Sequence, residues 1–390
     1  MILKTLFLAL ICSFGLGQIS SLVSIGEAKI YAFDPLVAVF DLVSIFYLLL
    51  VKKRFVISKF FLPLLVFAFI AFVSLLVGSA RLSETEVLVS AMYPIRFFAY
   101  LVLGIVVHNL METKIFDTRF LKKAVFVGAL LVSVLGFVQL VVLPDFTTLD
   151  SELGWDPHKN RLASAFFDPN FTGGFLFTSM FLILWLEKKF TPKLLVLLLA
   201  IFLTFSRSTW GALAAAVLLL GAVKYRKLLL LSALLAFLAY FAVPRVQTRI
   251  SGITDPADSA AFRLISWGNV LTIARENPLF GVGFNSYRYA QIERGFVGIG
   301  EYETHSGSGS DSSFLLVLAT TGVIGFIPFV VGYFWPLFSA MKRKDFFFAS
   351  ILVGLFLHTQ FVNALFYPQI MFLWMLLLGV YSALFSYRKV

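Results

Sequence analysis

The chain has 390 residues, of which 60% are hydrophobic and only 14% are charged, and its mean hydropathy is +0.93. These values exclude a soluble multidomain protein and are typical of a polytopic membrane protein, because long apolar runs recur along the sequence. The net charge of +11 does not indicate nucleic acid, because the basic residues follow a topological pattern described below. The single cysteine, Cys12, excludes a disulfide framework.

Twelve apolar runs predict about twelve transmembrane helices, because long non-alternating runs indicate helices rather than barrel strands. The predicted fold class is an all-α polytopic membrane protein, with residues 1–390 forming a single integral membrane domain. No cleavage site for a signal peptide is recognised, so the first run is counted as a span. The predicted spans are 5–26, 31–51, 56–77, 87–110, 121–143, 169–187, 194–205, 208–223, 228–243, 313–339, 346–366 and 368–386.

The basic residues predict the orientation of the chain. Twenty of the 32 Lys and Arg residues fall in alternate short segments between the spans or at the termini, and few acids accompany them. By the positive-inside rule, both termini are cytoplasmic, and the segments 144–168 and 244–312 face outward. We expect the basic clusters to contact anionic lipids, so membrane lipids are predicted partners.

The runs 194–205 and 208–223 are each too short for an ordinary span. From Lys193 to Arg207 is about 21 Å of helix, and from Arg207 to Lys224 about 25 Å, whereas the hydrocarbon core is about 30 Å thick. One tilted span from Lys193 to Lys224 is the alternative, but it would place the later basic clusters outside. We therefore predict a hairpin with Arg207 at its tip, below the outer surface.

An arginine at membrane depth costs about 2.5–3.5 kcal/mol on insertion scales, so it should line a polar cavity or meet an anion. The motif Ser206-Arg207-Ser208 is therefore the sharpest local signal in the chain. A snorkelling interfacial arginine is the alternative interpretation.

The long outer segment 244–312 predicts an anion-binding surface. Its cations are all arginine, whose planar fork suits bidentate capture of phosphate better than lysine does. Arg245 and Arg249 share a face if the ninth span continues as a helix, although contact with lipid headgroups would explain them equally well. The six arginines are Arg245, Arg249, Arg263, Arg275, Arg288 and Arg294.

An amphipathic helix is predicted within this segment. Asp255-Pro256-Ala257-Asp258 is a helix start, and Phe262 to Glu276 forms the body, ending before Pro278. Its predicted apolar face holds Leu264, Trp267, Leu271 and Ala274. Arg263 lies near its start, where backbone N–H groups also favour an anion.

Two residues just before the tenth span are candidate general bases, His305 and Asp311. Imidazole and carboxylate can both accept a proton in the working pH range when suitably placed. The alternatives are a solvated loop histidine and a helix cap, since Asp311 precedes Ser312 and Ser313.

Three further charged residues lie outside this segment. Arg161 precedes the sixth span and joins the predicted substrate-binding residues, and Asp168 is a predicted cap of the sixth helix. Asp41 and Arg96 lie within predicted spans, where a buried structural ion pair is expected. Neither a metal-binding motif nor a cluster of acids suited to Mg²⁺ occurs, so no metal or cofactor is predicted.

Several of these motifs together resemble the O-antigen ligase/polymerase family of bacterial envelope glycosyltransferases. They are the twelve-span pattern, Ser206-Arg207-Ser208, Phe262-Arg263-x-x-x-Trp267, Asn277-Pro278-x-x-Gly281-x-Gly283, Ser313-Phe314-Leu315 with Gly322-x-x-Gly325, and the stretch from Arg161 to Asn170. The motifs cover about 160–330, and the topology covers the whole chain.

The resemblance implies a metal-independent transferase in the bacterial inner membrane, with its active site facing the periplasm. The implied donor is a glycan on undecaprenyl diphosphate, whose diphosphate is held by the residues matching Arg207 and Arg263. The implied acceptor is a glycan or a lipid-linked glycan. Direct attack with inversion at the sugar is expected from the same analogy.

Ligases of this family typically carry histidine-asparagine just before the tenth span, where this chain has Asp311-Ser312. The resemblance therefore slightly favours a polymerase over a ligase acting on lipid A-core. A transporter of lipid-linked oligosaccharide or polysaccharide, acting without chemistry, is a second alternative, although the chain lacks the related halves that transporters show. A structural scaffold would leave the buried arginine unexplained.

Overall fold

The computed structural model describes residues 1–26, 28–149, 158–252, 259–297 and 309–387. Within these ranges the protein is all-α, as predicted, apart from one small hairpin of β1 (Ser21–Ile25) and β2 (Ala28–Tyr31). The helices are α1 (Ile2–Gly15), α2 (Phe33–Phe46, extended by a π-helical turn to Val51), α3 (Leu62–Gly78), α4 (Glu84–Glu112), α5 (Thr118–Val142), α6 (Pro169–Glu187), α7 (Leu194–Leu203), α8 (Arg207–Val223), α9 (Arg226–Ala242), α10 (Pro244–Ser251), α11 (Ser259–Glu276), α12 (Tyr287–Glu293), α13 (Ser313–Lys342), α14 (Phe346–His358) and α15 (Pro368–Tyr387).

Seven helices in the described ranges are long and apolar enough to cross a membrane. An eighth candidate exists if α9 and α10, which bend by 99° at their junction, form one broken span. The apolar helices α1, α7, α8 and α14 are shorter. The predicted count of twelve spans therefore remains a prediction.

Two of the predicted spans are wrong in their extent. The predicted span 5–26 is helical only to Gly15, because Gly17 takes a left-handed conformation and the chain then enters the β-hairpin. The predicted span 346–366 ends as a helix at His358. The residues that follow form a loop, and this loop contributes to the candidate site.

Helix α15 lies at the centre of the described structure. About 83% of its apolar stretch is buried, the largest share among the candidate spans, and it packs against α4 and α6. A Cβ added at Gly379 would collide with the backbone carbonyl of Gly104, so glycine permits the close approach of α4 and α15. Aromatic rings such as Phe97, Phe329 and Tyr333 surround Trp374 on α15.

The turn after α11 docks into a kink of α13. Gly322 has φ +61 and ψ −168, which interrupts α13, and the turn pairs with the exposed backbone through Val282 N–H to Ala319 O (3.0 Å) and Val323 N–H to Pro278 O (2.8 Å). A Cβ at either Gly281 or Gly322 would collide with the facing backbone. The glycines of these two motifs therefore permit a backbone-to-backbone contact that fixes α11 beside α13.

The predicted pair of Asp41 and Arg96 is wrong. Arg96 instead binds Asp34 bidentately, with Nε and Nη2 at 2.9 and 2.8 Å from the two carboxylate oxygens, and donates a further bond to Lys29 O. Asp41 is buried elsewhere on α2. The bidentate geometry requires the carboxylate at the start of α2, which the β-hairpin carries into reach.

Candidate functional site

The turn between α7 and α8 is the centre of the candidate site. The helix breaks at Thr204–Ser206, so residues 193–224 do not form one continuous helix. Phe205 in this turn has φ +47, a left-handed conformation that is costly for an aromatic residue. Ser206 then caps α8 by accepting a hydrogen bond from Thr209 N–H at 3.4 Å. Arg207 follows as the first residue of α8 and is half-buried.

Two of the predicted anion-binding arginines meet at this turn. Arg207 Nη1 donates to Arg249 O at 3.3 Å, and Arg249 Nε donates in return to Phe205 O at 3.3 Å. The two hydrogen bonds therefore tie α10 to the α7–α8 turn. A hydrogen bond to a neutral carbonyl orients a guanidinium while leaving its formal charge in place.

Arg161 joins the turn from the loop before α6. Its Nε donates to Thr204 O at 2.9 Å, and its Nη2 lies 3.4 Å from Asn170 Oδ1. The same amide oxygen accepts from Ser206 Oγ at 2.8 Å, which links the loop to the motif at the start of α8. Asp168 caps α6 as predicted, accepting from Asn170 N–H, so the cap also positions Asn170.

Arg245 completes the group of arginines. Its guanidinium lies 4.9 Å from the centre of the Phe205 ring and donates a hydrogen bond to Lys159 O. The ninth span does not continue straight, because the chain bends sharply before Pro244. Arg245 and Arg249 nevertheless lie one turn apart on α10, and both reach the α7–α8 turn. We call Arg161, Arg207, Arg245 and Arg249 the arginine cluster.

Arg263 lies on the other side of His358. Arg263 Nε donates to Phe361 O at 3.0 Å in the loop that follows α14. The ring of His358, at the end of α14, is fully buried beside the backbone of Ser208 and feels the charge of Arg263. The His358 ring therefore lies near both the start of α8 and Arg263, and neither of its nitrogens has a hydrogen-bond partner among the described residues. His358 was not predicted from the sequence, because a histidine inside an apolar run carries no local signal.

Asp311 lies against the same face of α11. Its backbone N–H donates to Ser266 Oγ at 3.4 Å, one turn along α11 from Arg263. The capping alternative for Asp311 is wrong, because Ser312 caps α13 by accepting from Leu315 N–H at 3.3 Å. The carboxylate of Asp311 is consequently not used to cap α13.

Tyr287 on α12 lies within reach of the charge of Asp311. Burial, with the negative charge of Asp311 as a further cause, raises the pKa of Tyr287 above its ordinary value. The phenol therefore stays protonated at working pH and retains a hydrogen that it can donate.

The predicted apolar face of α11 is wrong in part. Leu264 and Leu271 are exposed, whereas Val270, Ile273 and Ala274 are buried against α13. The helix is rotated relative to the prediction because the turn at 277–283 is fixed in the α13 kink. This rotation places Arg263, Ser266 and Trp267 on the side that faces Asp311 and the loop after α14.

Some predicted features lie outside the described residues, including His305 and the predicted helix start at 255–258. In the described parts of the chain, no group of three or more His, Cys, Asp or Glu side chains could hold a metal ion. The candidate site that the structure assembles therefore consists of arginines, one carboxylate and neutral polar groups.

The fold and the site define a multi-pass membrane protein with a cluster of arginines at the ends of several helices. Residues 193–330 match the family model described as Wzy_C, O-antigen ligase, so this part of the chain is similar to that family. The matched region contains Arg207, Arg245, Arg249, Arg263 and Asp311. No curated protein matches the chain.

This match confirms the resemblance over those residues. Members of the family are enzymes that transfer lipid-linked glycans, either as ligases or as polymerases. Arg161 lies outside the match, yet the structure brings it to the same turn as Arg207.

Proposed function

We propose that the protein transfers a glycan from an undecaprenyl-diphosphate-linked donor to a glycan acceptor at the periplasmic face of the inner membrane. The observation that carries the proposal is the arginine cluster at the α7–α8 turn, where backbone carbonyls orient the guanidinium groups. Oriented cations of this kind stabilise the charge that develops on a departing diphosphate.

The proposed donor site lies between the arginine cluster and Arg263. The buried His358 ring lies near both sides, and a diphosphate offers two phosphate groups for two sets of guanidiniums. The break between α7 and α8 supplies an opening at membrane level for the lipid chain. Phe205 and Trp210 at this break give it aromatic walls.

The reaction begins when the acceptor hydroxyl attacks the anomeric carbon of the donor sugar. The new bond joins the acceptor oxygen to that carbon, and the bond from the carbon to the diphosphate oxygen breaks. Undecaprenyl diphosphate leaves with its new negative charge facing the arginines. Asp311 accepts the proton of the acceptor hydroxyl, with His305 as the alternative base.

A polymerase is the favoured activity, because a carboxylate rather than a histidine stands just before α13. A ligase acting on lipid A-core is the first alternative, and transport without chemistry is the second alternative. Purified protein in nanodiscs, supplied with a lipid-diphosphate-linked repeat unit, distinguishes them. A ladder of lengthened lipid-linked products supports a polymerase, a single transfer onto lipid A-core supports a ligase, and movement of intact donor supports a transporter.

The role of Asp311 is tested in the same assay. Asp311→Asn should bind donor as the wild type does, because a carboxylate does not help to hold a diphosphate, while turnover falls. His305→Ala is the control for the rival base. Full activity of Asp311→Asn together with loss of activity in His305→Ala would assign the base to the histidine.

Divalent metal should not be required, since arginines supply the positive charge. We expect glycan transfer to persist in EDTA. Activity that stops in EDTA and returns with Mg²⁺ or Mn²⁺ would contradict this mechanism.

A further inference from the structure

Three buried polar atoms close to Asp311 have no hydrogen-bond partner among the described residues. They are Trp267 Nε1 on α11, Tyr287 Oη on α12 and Asn363 Oδ1 in the loop after α14. Buried polar groups are normally paired, because an unpaired group loses its bonds to water and gains none in return. Three such atoms on three different elements around one carboxylate indicate a place that a ligand fills.

Several contacts place the three side chains around Asp311. The ring of Trp267 lies 5.7 Å from that of Phe361, and the neighbouring Ser266 accepts the backbone N–H of Asp311. Tyr287 lies close enough for the Asp311 charge to act on its phenol. The amide of Asn363 lies beside Gly309, where an added Cβ would meet its nitrogen at 3.4 Å.

The chemistry of these atoms selects a hydroxyl-rich ligand over a phosphate. Indole N–H is a donor only, whereas the amide oxygen of Asn363 is an acceptor only. A phosphate dianion has only acceptors and would repel that amide oxygen. A sugar hydroxyl both donates and accepts, and a sugar ring also packs on an aromatic face such as that of Trp267.

We propose that Trp267, Tyr287 and Asn363 form a subsite for one sugar ring of the acceptor glycan, beside Asp311. This inference rests on the proposed function for its assignment to the acceptor, because Asp311 is the group that removes the acceptor proton. The three residues bind and position the sugar, and they are not themselves part of the proton transfer.

An unpartnered atom alone is not a sign of a subsite, and Trp374 shows why. Its Nε1 also lacks a partner among the described residues, but the ring is packed among Phe97, Phe329 and Tyr333 in the core. Trp374→Phe is therefore the matched control for Trp267→Phe. Both variants remove an indole N–H, and only one of them lies beside Asp311.

The first measurement is steady-state transfer with the donor and the acceptor varied separately. Trp267→Phe and Tyr287→Phe should each raise the KM for acceptor by about tenfold, because each removes one hydrogen bond to the sugar. The KM for donor should stay within about twofold, since neither residue contacts the diphosphate. Trp374→Phe should leave both values unchanged. An unchanged KM for acceptor in both test variants, or a raised KM for donor instead, overturns the subsite.

The second measurement is direct binding without donor. The probe is a lipid-free oligosaccharide released by mild acid from the envelope polysaccharide of the producing bacterium, and binding is followed by saturation-transfer NMR. Wild type and Trp374→Phe should bind it, whereas Tyr287→Phe should bind it about tenfold more weakly. Binding that does not depend on Tyr287 or Trp267 contradicts the subsite.

The two measurements separate this inference from the proposed function. If the wild type transfers glycan and the variants leave the KM for acceptor unchanged, the proposed function stands and the subsite is wrong. If oligosaccharide binding depends on Tyr287 but the protein transfers no glycan from a lipid diphosphate, the subsite stands and the proposed function is wrong. If Trp267→Phe fails to fold, Tyr287→Phe alone tests the subsite, because that variant removes one oxygen and keeps the ring.

Discussion

The basic side chains at the two ends of the helix bundle have different kinds of contact partner. At the lysine-rich end, cations meet carboxylates: Glu187 accepts Lys122 at 3.1 Å and Lys193 at 2.7 Å, and Asp345 accepts Lys188 at 3.4 Å. At the other end, Arg161, Arg207, Arg245, Arg249 and Arg263 each donate a hydrogen bond to a backbone carbonyl.

This difference separates a structural use of charge from a binding use. A lysine beside a carboxylate is neutralised locally, and its residual role is to set topology and contact lipid. An arginine beside a carbonyl is oriented without being neutralised by that contact, and its fork can still face a phosphate. The comparison predicts that substitutions at the two ends will affect different properties.

The sharpest test of the comparison is topology, because its readout is all or none. A reporter fused after Gly298 should read as external, and one fused after Lys344 as cytoplasmic, since the arginine end must face the periplasm to meet its donor. Paired alkaline phosphatase and fluorescent protein fusions measure this. An internal signal at 298 would contradict the hairpin at Arg207 and the placement of the site.

The next largest effect is expected from the arginines. Arg207→Ala and Arg263→Ala should each lower the transfer rate by roughly 10²–10³, the usual cost of about 2.7–4 kcal/mol for one group that stabilises developing charge. Lysine should rescue poorly, because it retains the charge but not the fork. The measurement is donor binding beside product formation, with folding checked by monodispersity in detergent.

The matched control for the arginines is Lys193→Ala at the opposite end. Its ion pair with Glu187 is partly exposed and should contribute little, so transfer should stay close to that of the wild type. Normal binding and turnover in both arginine variants would show that the cluster does not hold the diphosphate.

A smaller effect, on stability alone, is expected at Asp345. Its two oxygens each lie 3.1 Å from Trp185 Nε1, so Asp345→Ala leaves a buried indole N–H without its partner. The cost of such a loss is about 1–3 kcal/mol. We expect a lower Tm with near-normal turnover at low temperature. Lys224→Gln, which removes only a charge over the ring of Tyr225, should leave Tm unchanged.

The smallest effect is expected in the loop before α6. The hydrogen bond from Lys159, with further bonds from Thr147, lowers the pKa of Asp145 from 3.8 to about 2. A depressed carboxyl pKa stabilises the fold above the ordinary pKa, and this contribution is lost as the pH falls through the folded value. The Tm difference between wild type and Lys159→Gln should therefore be small at pH 7 and shrink between about pH 4 and pH 2. A Tm difference that grows as the pH falls would contradict the lowered pKa of Asp145.

Much of the fold followed from composition and charge, but the extent of its elements did not. Apolar runs predicted a helix in every place where the structure has a candidate span. The predicted spans 5–26 and 346–366 were too long, because an apolar loop or hairpin buried by its neighbours has the composition of a helix. The loop at 359–363, which holds Phe361 and Asn363, was therefore hidden inside a predicted span.

Only part of the candidate site could be predicted from the sequence. Arg207 was found because an arginine in a short apolar run is costly and needs an explanation. Tyr287, His358 and Asn363 were missed, since each is a residue type that a core or a loop accommodates without any local sign. The wrong pairing of Arg96 with Asp41 arose because both lie within predicted spans. The hairpin that brings Asp34 to Arg96 has no clear sequence pattern.

The sequence by itself determined that this protein is a helical membrane protein. It also determined which loops carry lysine, and that the basic residues of the segment 244–312 include arginine but no lysine. Those properties depend on hydropathy and charge, which each residue contributes independently of its neighbours in space. Only the tertiary structure decided which arginines meet at the α7–α8 turn and which polar atoms surround Asp311. These contacts join residues far apart in the chain, such as Arg263 and Phe361, and their formation depends on helix rotation and on the kink at Gly322.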